Sequence, residues 1–172
     1  MKKDNEFPKR KKNRLDTYDY SSCGAYFITI CTEDRREILS RIIVGGDVLD
    51  APKKEELLPC GEIAEKYINQ LNDFYGDIVV DRYVIMPNHI HIMLFVSENG
   101  APRTSPPTRQ HTAVSCFVST FKRFCNKEYC ENIWQRSYYD HVIRDREDYE
   151  KHVRYICENP LRWRYDELYS DR

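Results

Sequence analysis

Residues 82–96, RYVIMPNHIHIMLFV, constrain the fold of this chain more than any other stretch. β-Branched and aromatic residues lie on both sides of Pro87-Asn88, which is the pattern of two antiparallel strands joined by a tight turn. Proline does not adopt positive φ, so a type I′ turn is excluded and a type I or type II turn is favoured. The sequence therefore predicts a central hairpin.

The second strand of this hairpin alternates between two faces. Because successive side chains of a strand point to opposite faces, His89 and His91 share one face with Met93 and Phe95. Two imidazoles at this spacing are close enough to bind one metal ion together. A His-x-His tripeptide also arises by chance, so a half-buried strand end with two solvated histidines stays open as the alternative.

Hydrophobic periodicity predicts the order strand, helix, strand, strand, helix, strand. This is the order of an α+β, ferredoxin-like βαββαβ sandwich with an antiparallel sheet. The predicted ranges are 26–32, 60–74, 78–86, 89–96, 112–129 and 133–143. Residues 42–49 are predicted to form a small inserted hairpin, residues 52–59 a polar connection, and residues 97–110 a loop rich in proline.

The chain is predicted to have one domain, residues 26–172, preceded by a basic arm, residues 1–25. The formal net charge of −1 divides into +5 for residues 1–14 and −6 for the rest. This asymmetry indicates a polyanionic partner reached by the arm, whereas a solubilising tail is the alternative. The basic residues predicted to bind it are Lys9, Arg10, Lys11, Lys12 and Arg14.

Cysteine usage and the apolar runs indicate a cytoplasmic protein. The seven cysteines form no C-x-x-C pair, and their odd number suits neither a zinc ribbon nor a disulfide framework, which favours buried, reduced thiols. The N-terminus is too charged for a signal peptide, and the longest apolar run, residues 92–96, is too short to span a membrane. We therefore predict a cytoplasmic location with no membrane segment.

One more helix is predicted after the last strand, with Asp145 as its N-cap and Pro160 as its stop. Its predicted buried stripe consists of Tyr149, Val153, Ile156 and Cys157. A second face, about 90° around the helix, carries Asp148, His152, Tyr155 and Asn159. Tyr155 and Asn159 lie one turn apart, so both side chains can reach the same point. The alternative for Tyr155 is a half-buried ring with its hydroxyl in water.

Three motifs follow one another in the order PNHIH, WQRSYYDH and YICENP. With them, residues 18–165 resemble the REP-associated tyrosine transposases, which belong to the HUH group of transposases with a single catalytic tyrosine. The resemblance implies a ferredoxin-like fold, a divalent metal ion (Mg²⁺ or Mn²⁺) and a tyrosine on a C-terminal helix. That tyrosine attacks single-stranded DNA, leaving a 5′-phosphotyrosine link and a free 3′-hydroxyl.

Carried over position by position, the resemblance implies a metal site of His89 and His91, completed by Asn159, and Tyr155 as the nucleophile. Tyr138 and Tyr139, in the WQRSYYDH strand, are not the matching position. A phenol is a weak nucleophile at neutral pH, and a metal ion on two neutral imidazoles and an amide would help it by polarising a phosphate oxygen.

The resemblance implies single-stranded DNA with a hairpin-forming repeat as the partner, and a homodimer stays open. Two other functions stay open as well. One is a domesticated, catalytically silent relative that only binds a single-stranded DNA hairpin, and the other is a metal-dependent phosphodiesterase that uses water. A covalent protein–DNA adduct would separate the transposase from both.

Deletion of residues 1–14 should weaken binding to single-stranded DNA and flatten its salt dependence, because fewer counterions are released. Lys122 and Arg123 should add to binding if the predicted second helix borders the DNA. The measurement is the affinity of the full-length and truncated chains over a salt series. If the full-length and truncated chains have the same DNA affinity and the same salt dependence, the arm is a solubilising tail.

Overall fold

Four strands form an antiparallel sheet at the centre of the computed structural model, which describes residues 23–43, 54–97 and 112–169. In chain order the strands are β1 (Gly24–Cys31), β2 (Ser40–Ile43), β3 (Lys54–Leu57), β4 (Ile78–Ile85), β5 (His89–Val96) and β6 (Tyr139–Ile143). The helices are α1 (Pro59–Phe74), α2 (Ala113–Tyr129) and α3 (Arg146–Glu158), followed by a 3₁₀ turn, Asn159–Tyr165. The main sheet has the order β4-β5-β1-β6, and β2 pairs with β3 separately.

The ferredoxin-like prediction is confirmed. The central strand β1 pairs with β5 from Gly24↔Val96 to Cys31↔His89, and its other edge pairs with β6. Because β1 has a strand on each side and is covered on both faces, its run of apolar residues is buried, as predicted. The hairpin of β4 and β5 turns at Pro87-Asn88, where the sequence placed it.

The two faces of the sheet are covered differently. Helices α1 and α2 pack on the face that carries Tyr26, Ile28 and Ile92, and together they form the larger core. The opposite face carries a smaller cluster, in which Phe27 and Met93 pack with Ile156 of α3 and Trp163 of the 3₁₀ turn. The result is three layers, namely two helices, the sheet, and α3.

The last strand is shorter than predicted. Residues 133–143 were expected to be one strand, but β6 begins at Tyr139. Ile133 and Trp134 are buried in the larger core, and Trp134 makes only an isolated bridge with Thr32. The carbonyls of Gln135 and Ser137 accept hydrogen bonds from the Lys122 ammonium, at 2.7 and 2.9 Å, instead of joining a strand ladder.

The inserted hairpin is also displaced. Strand β2 pairs with Lys54–Leu57, in the register Ser40↔Leu57 to Ile43↔Lys54, so the prediction that residues 52–59 are only a connection is wrong. KEEL has low strand propensity, but backbone pairing with β2 overrides that preference. Residues 44–53, and with them the expected return strand, lie outside the described residues.

Residues 1–22 and 98–111 also lie outside the described part, and with them most of the predicted arm and loop. In the part of the chain that the structure describes, no helix is both long and apolar enough to cross a membrane.

Gly61, in the first turn of α1, should not tolerate a side chain. A Cβ at this position would overlap the carbonyl oxygen of Leu39, and a backbone atom cannot move aside cheaply. Gly61→Ala should therefore lower the free energy of unfolding by roughly 2 kcal/mol or more, measured by urea denaturation. Gly76→Ala is the matched control, because a Cβ there meets nothing within 4 Å, and its effect should be close to zero.

Candidate functional site

His89 and His91 lie on the sheet face that α3 covers, because both positions of β5 point away from α1 and α2. Both side chains are buried, at 0% and 2% exposure. Their Nε2 atoms lie 2.9 Å apart and their ring centroids 4.5 Å apart. The alternative of two solvated histidines at a strand end is therefore wrong.

The other nitrogen of each ring is held by a neighbour. His89 Nδ1 lies 2.8 Å from the side-chain oxygen of Asn88, which can only accept, so Nδ1 carries the proton and Nε2 keeps its lone pair. His91 Nδ1 lies 2.8 Å from the hydroxyl of Thr29, its cross-strand neighbour in β1. Such contacts on the far nitrogen orient an imidazole whose near nitrogen binds a metal.

Burial keeps both imidazoles uncharged. Burial, and then the nearby Arg35 guanidinium, lower the pKa of His89 to about 3. Burial, and then His89, hold the pKa of His91 well below its ordinary value. At neutral pH both rings are therefore in the neutral form that ligates metal ions.

Tyr155 projects from α3 to the histidine pair. Its ring meets that of His91 nearly edge-on at 5.1 Å between centroids, and Phe27 at 6.0 Å. The side chain is 43% exposed and borders a groove of about 990 Å³ that His91 and Thr29 also line. The predicted N-cap of this helix is confirmed, since the Asp145 carboxylate accepts from the Asp148 amide at 2.9 Å.

The face of α3 that meets the sheet is partly the polar one. Ile156 is buried as predicted, but Cys157 is exposed, so its place in the buried stripe is wrong. His152 packs against Phe27 at 4.7 Å between ring centroids, on the same side as Tyr155. The sheet presents Thr29, His91 and an aromatic ring here, so polar side chains of the helix face inward.

The sequence did not predict that Asp166 would contact Tyr155 and Asn159. Asp166 Oδ2 accepts from the Tyr155 hydroxyl at 3.0 Å and from the Asn159 amide nitrogen at 2.9 Å. Its Oδ1 accepts from the Leu168 backbone amide at 2.7 Å. The 3₁₀ turn after α3 brings this carboxylate back to the sheet, and no periodicity in NPLRWRYD indicates that return.

The ligand atoms of His89, His91 and Asp166 all lie within 4.8 Å of one another. Asn159, which the resemblance placed in the metal site, is 3% exposed, and its Oδ1 has no hydrogen-bond partner among the described residues. Two neutral imidazoles and a carboxylate form a donor set that suits Mn²⁺, and the unpartnered amide oxygen of Asn159, whose amide nitrogen donates to Asp166, is a candidate further donor. The residues present therefore fit a divalent ion.

No family model matches the chain. Its sequence is similar to those of proteins that carry a name. A Haemophilus influenzae protein with the provisional name REP-associated tyrosine transposase is 26% identical over 164 residues, which cover 89% of this chain and 79% of that protein. The Escherichia coli REP-associated tyrosine transposase is 29% identical over 92 residues, or 54% of this chain and 50% of that protein. Over most of its length the chain is similar to REP-associated tyrosine transposases.

A solved structure supports this fold. It is a REP-associated tyrosine transposase bound to a REP hairpin, and it matches 90% of this chain and 77% of its own length with a TM-score of 0.59. The identity is 19%, so the likeness concerns the fold.

The structure does not bring Lys122 and Arg123, the two described residues that were predicted to bind DNA, to Tyr155. Lys122 and Arg123 lie on α2, on the other side of the sheet. Lys122 is committed to the carbonyls of Gln135 and Ser137, and burial lowers its pKa to about 8. Arg123 is exposed, with its guanidinium over the Phe124 ring at 5.2 Å. Lys9, Arg10, Lys11, Lys12 and Arg14 lie outside the described residues.

Lys122→Ala should lower the free energy of unfolding by roughly 1 to 2 kcal/mol, because it leaves two carbonyls without their donor. Arg123→Ala should change it by less than about 0.5 kcal/mol. Denaturant unfolding of both variants measures the difference. Equal effects of the two substitutions would contradict the anchoring role of Lys122.

Proposed function

We propose that this protein is a metal-dependent transposase that cleaves and rejoins single-stranded DNA through a 5′-phosphotyrosine at Tyr155. Similarity to relatives named as transposases supports a DNA transposase-like function, and the hairpin bound by the solved structure supports a hairpin-forming strand as the substrate. The observation that carries the proposal is the Tyr155 hydroxyl, which lies 3.0 Å from an Asp166 oxygen in the cluster with His89 and His91. A nucleophile and a set of metal ligands thus share one corner of the groove.

His89, His91 and Asp166 would hold the metal ion, and Asn159, whose amide nitrogen donates to Asp166, would offer its unpartnered Oδ1 as a further donor. A bound divalent ion would polarise a non-bridging oxygen of the scissile phosphate and offset its charge. Thr29 and Asn88 act as positioning residues, because each fixes one imidazole through its far nitrogen.

The proton of Tyr155 must leave as the phenol attacks. Burial, and then the Asp166 carboxylate, raise the pKa of Tyr155, so the phenol is neutral before the reaction. Asp166 Oδ2 already accepts the hydroxyl hydrogen bond and is placed to take this proton as a general base. The loss of the proton and the attack therefore occur together.

The cleavage step exchanges one ester bond for another. The Tyr155 oxygen bonds to phosphorus, the bond between phosphorus and the 3′-oxygen breaks, and that oxygen takes up a proton to become the free 3′-hydroxyl. The 5′-phosphate stays on Tyr155. Attack by a 3′-hydroxyl on the phosphotyrosine reverses these changes and rejoins DNA, so no cofactor energy is needed.

Packing fixes the direction of the attacking oxygen. The Tyr155 ring packs edge-to-face against the stacked rings of His91 and Phe27, at 5.1 and 6.0 Å between centroids. Edge-to-face contacts of this kind restrict the rotation of an aromatic side chain. The hydroxyl is therefore oriented before DNA enters, which lowers the entropic part of the barrier.

Tyr155→Phe should abolish the covalent adduct, because it removes the only atom that forms the bond to phosphorus. The ring contacts remain, so the free energy of unfolding should change by less than about 1 kcal/mol. The assay is incubation with single-stranded DNA from the flanks of the protein's own gene, followed by a denaturing gel. DNA binding should survive in this variant.

Tyr138→Phe is the matched control and should keep the adduct. An adduct in Tyr155→Phe would show that the nucleophile is assigned wrongly. DNA cleavage by the wild type without an adduct would point to the phosphodiesterase that uses water. Binding of the hairpin with neither cleavage nor adduct would identify the silent binding protein.

His91→Ala should abolish cleavage while the fold remains intact, because it removes one of two imidazole ligands. Calorimetry with Mn²⁺ should show loss of binding at this site in a variant with alanine at both His89 and His91. Unchanged Mn²⁺ affinity in the double variant would rule out the metal site.

A further inference from the structure

A second group of metal-ligating side chains lies at the N-terminal end of α3. His141 of β6 joins Asp148 and His152 of α3, with ligand atoms that all lie within 4.8 Å of one another. His141 Nε2 is 2.8 Å from Asp148 Oδ2, and His152 Nδ1 is 3.1 Å from Asp148 Oδ1. The two imidazoles stack at 4.6 Å between centroids with 22° between their planes, so both present a nitrogen to the same carboxylate.

We propose that His141, Asp148 and His152 form a second metal site, separate from the histidine pair of β5, which binds Zn²⁺ or Co²⁺. Two imidazoles and one carboxylate are the donor set of many zinc centres, and they leave a coordination position open to solvent or substrate. Imidazole-rich sites favour these ions over Mg²⁺. His141 is 44% exposed at its side chain, which gives an ion a route in.

The hydrogen bonds among His141, Asp148 and His152 indicate which ring nitrogens would bind the ion. His152 Nδ1 also lies 2.8 Å from the backbone carbonyl oxygen of Asp148, and the ring nitrogens that face Asp148 meet only acceptors there. Those nitrogens therefore carry protons in the metal-free cluster. A divalent ion would take the place of these protons, with each neutral ring keeping its proton on the other nitrogen.

Neighbouring groups hold two of the three ligands in place. The Arg144 backbone amide donates to Asp148 Oδ2 at 3.2 Å, and Asp148 is fixed further by its position in the first turn of α3. The Phe27 ring packs against His152. Such supporting contacts are typical of metal ligands, because they reduce the entropy lost on binding.

The net negative charge of the groove favours the binding of a cation at the second site. The lining of the groove includes Asp148 and His152, and it carries seven acidic against four basic side chains. A groove with this excess of negative charge repels a phosphodiester unless cations offset it.

A second ion would also link β6 to α3 through His152, which lies three residues before Tyr155 on the same helix. A contribution of this ion to DNA binding and to the placement of Tyr155 rests on the proposed function. The binding of the ion to His141, Asp148 and His152 does not rest on it.

The test uses the full chain without a polyhistidine tag, stripped with a chelator and titrated with Co²⁺ by equilibrium dialysis. The His89→Ala/His91→Ala variant isolates the second site and should bind one Co²⁺. Its near-ultraviolet spectrum should lack a thiolate-to-cobalt charge-transfer band, which distinguishes the site from the exposed cysteines Cys23, Cys130 and Cys157.

In that background, Asp148→Asn and His141→Ala should each weaken Co²⁺ binding at least tenfold. Glu147→Gln is the matched control, because it removes the same charge from the neighbouring position of the same helix, and it should leave binding unchanged. Two ligands are tested independently, so a folding defect in one variant does not decide the result.

Failure to bind Co²⁺ in the His89→Ala/His91→Ala variant would overturn the proposal and leave a hydrogen-bonded ion pair only. A Co²⁺ affinity of Asp148→Asn and of His141→Ala that is unchanged from that of the His89→Ala/His91→Ala background would overturn it as well. If the wild type binds the same single Co²⁺ as the His89→Ala/His91→Ala variant, the second site stands and the metal site of the proposed function fails.

Discussion

Two uncharged imidazoles, buried 2.9 Å apart between the central sheet and α3, set the conditions for the rest of this site. Burying a polar group costs free energy unless its hydrogen bonds are replaced. Thr29 and Asn88 replace one bond on each ring. The facing Nε2 atoms can share one proton or one metal ion, and the sequence around them is arranged to keep them together. Burial therefore keeps both imidazoles in the neutral form, which is the form that ligates metal ions.

The polar side chains that α3 turns inward cover this site. The sheet beneath the helix offers Thr29 and His91, which already hydrogen-bond each other, beside Phe27, so the helix meets this surface through the rings of Tyr155 and His152. Tyr155 and His152 pack on this surface, and Asp166 closes it by accepting from both Tyr155 and Asn159. Asn88 extends the closure, since its amide donates to the Leu168 carbonyl at 2.8 Å. The hairpin turn and the C-terminal segment are thus joined beside Tyr155, the proposed nucleophile.

Charge distribution separates the two faces of the molecule. The groove beside Tyr155 is acidic in balance, whereas the described lysine predicted to bind DNA, Lys122, lies behind the sheet and anchors the segment before β6. An acidic groove that bound phosphodiesters would depend on cations. Both proposed metal sites would meet this need, because each places two imidazoles beside a carboxylate.

The sequence by itself determined the ferredoxin-like order, the alternation that puts His89 and His91 on one face, and the helical spacing that joins Tyr155 to Asn159, because these depend on local periodicity. It failed where distant segments meet. Strand β3, the start of β6 and the inward polar face of α3 follow from pairing and packing partners far away in the chain. Asp166 reaches Tyr155 only because the 3₁₀ turn folds back onto the sheet, and no local pattern records a contact made that way.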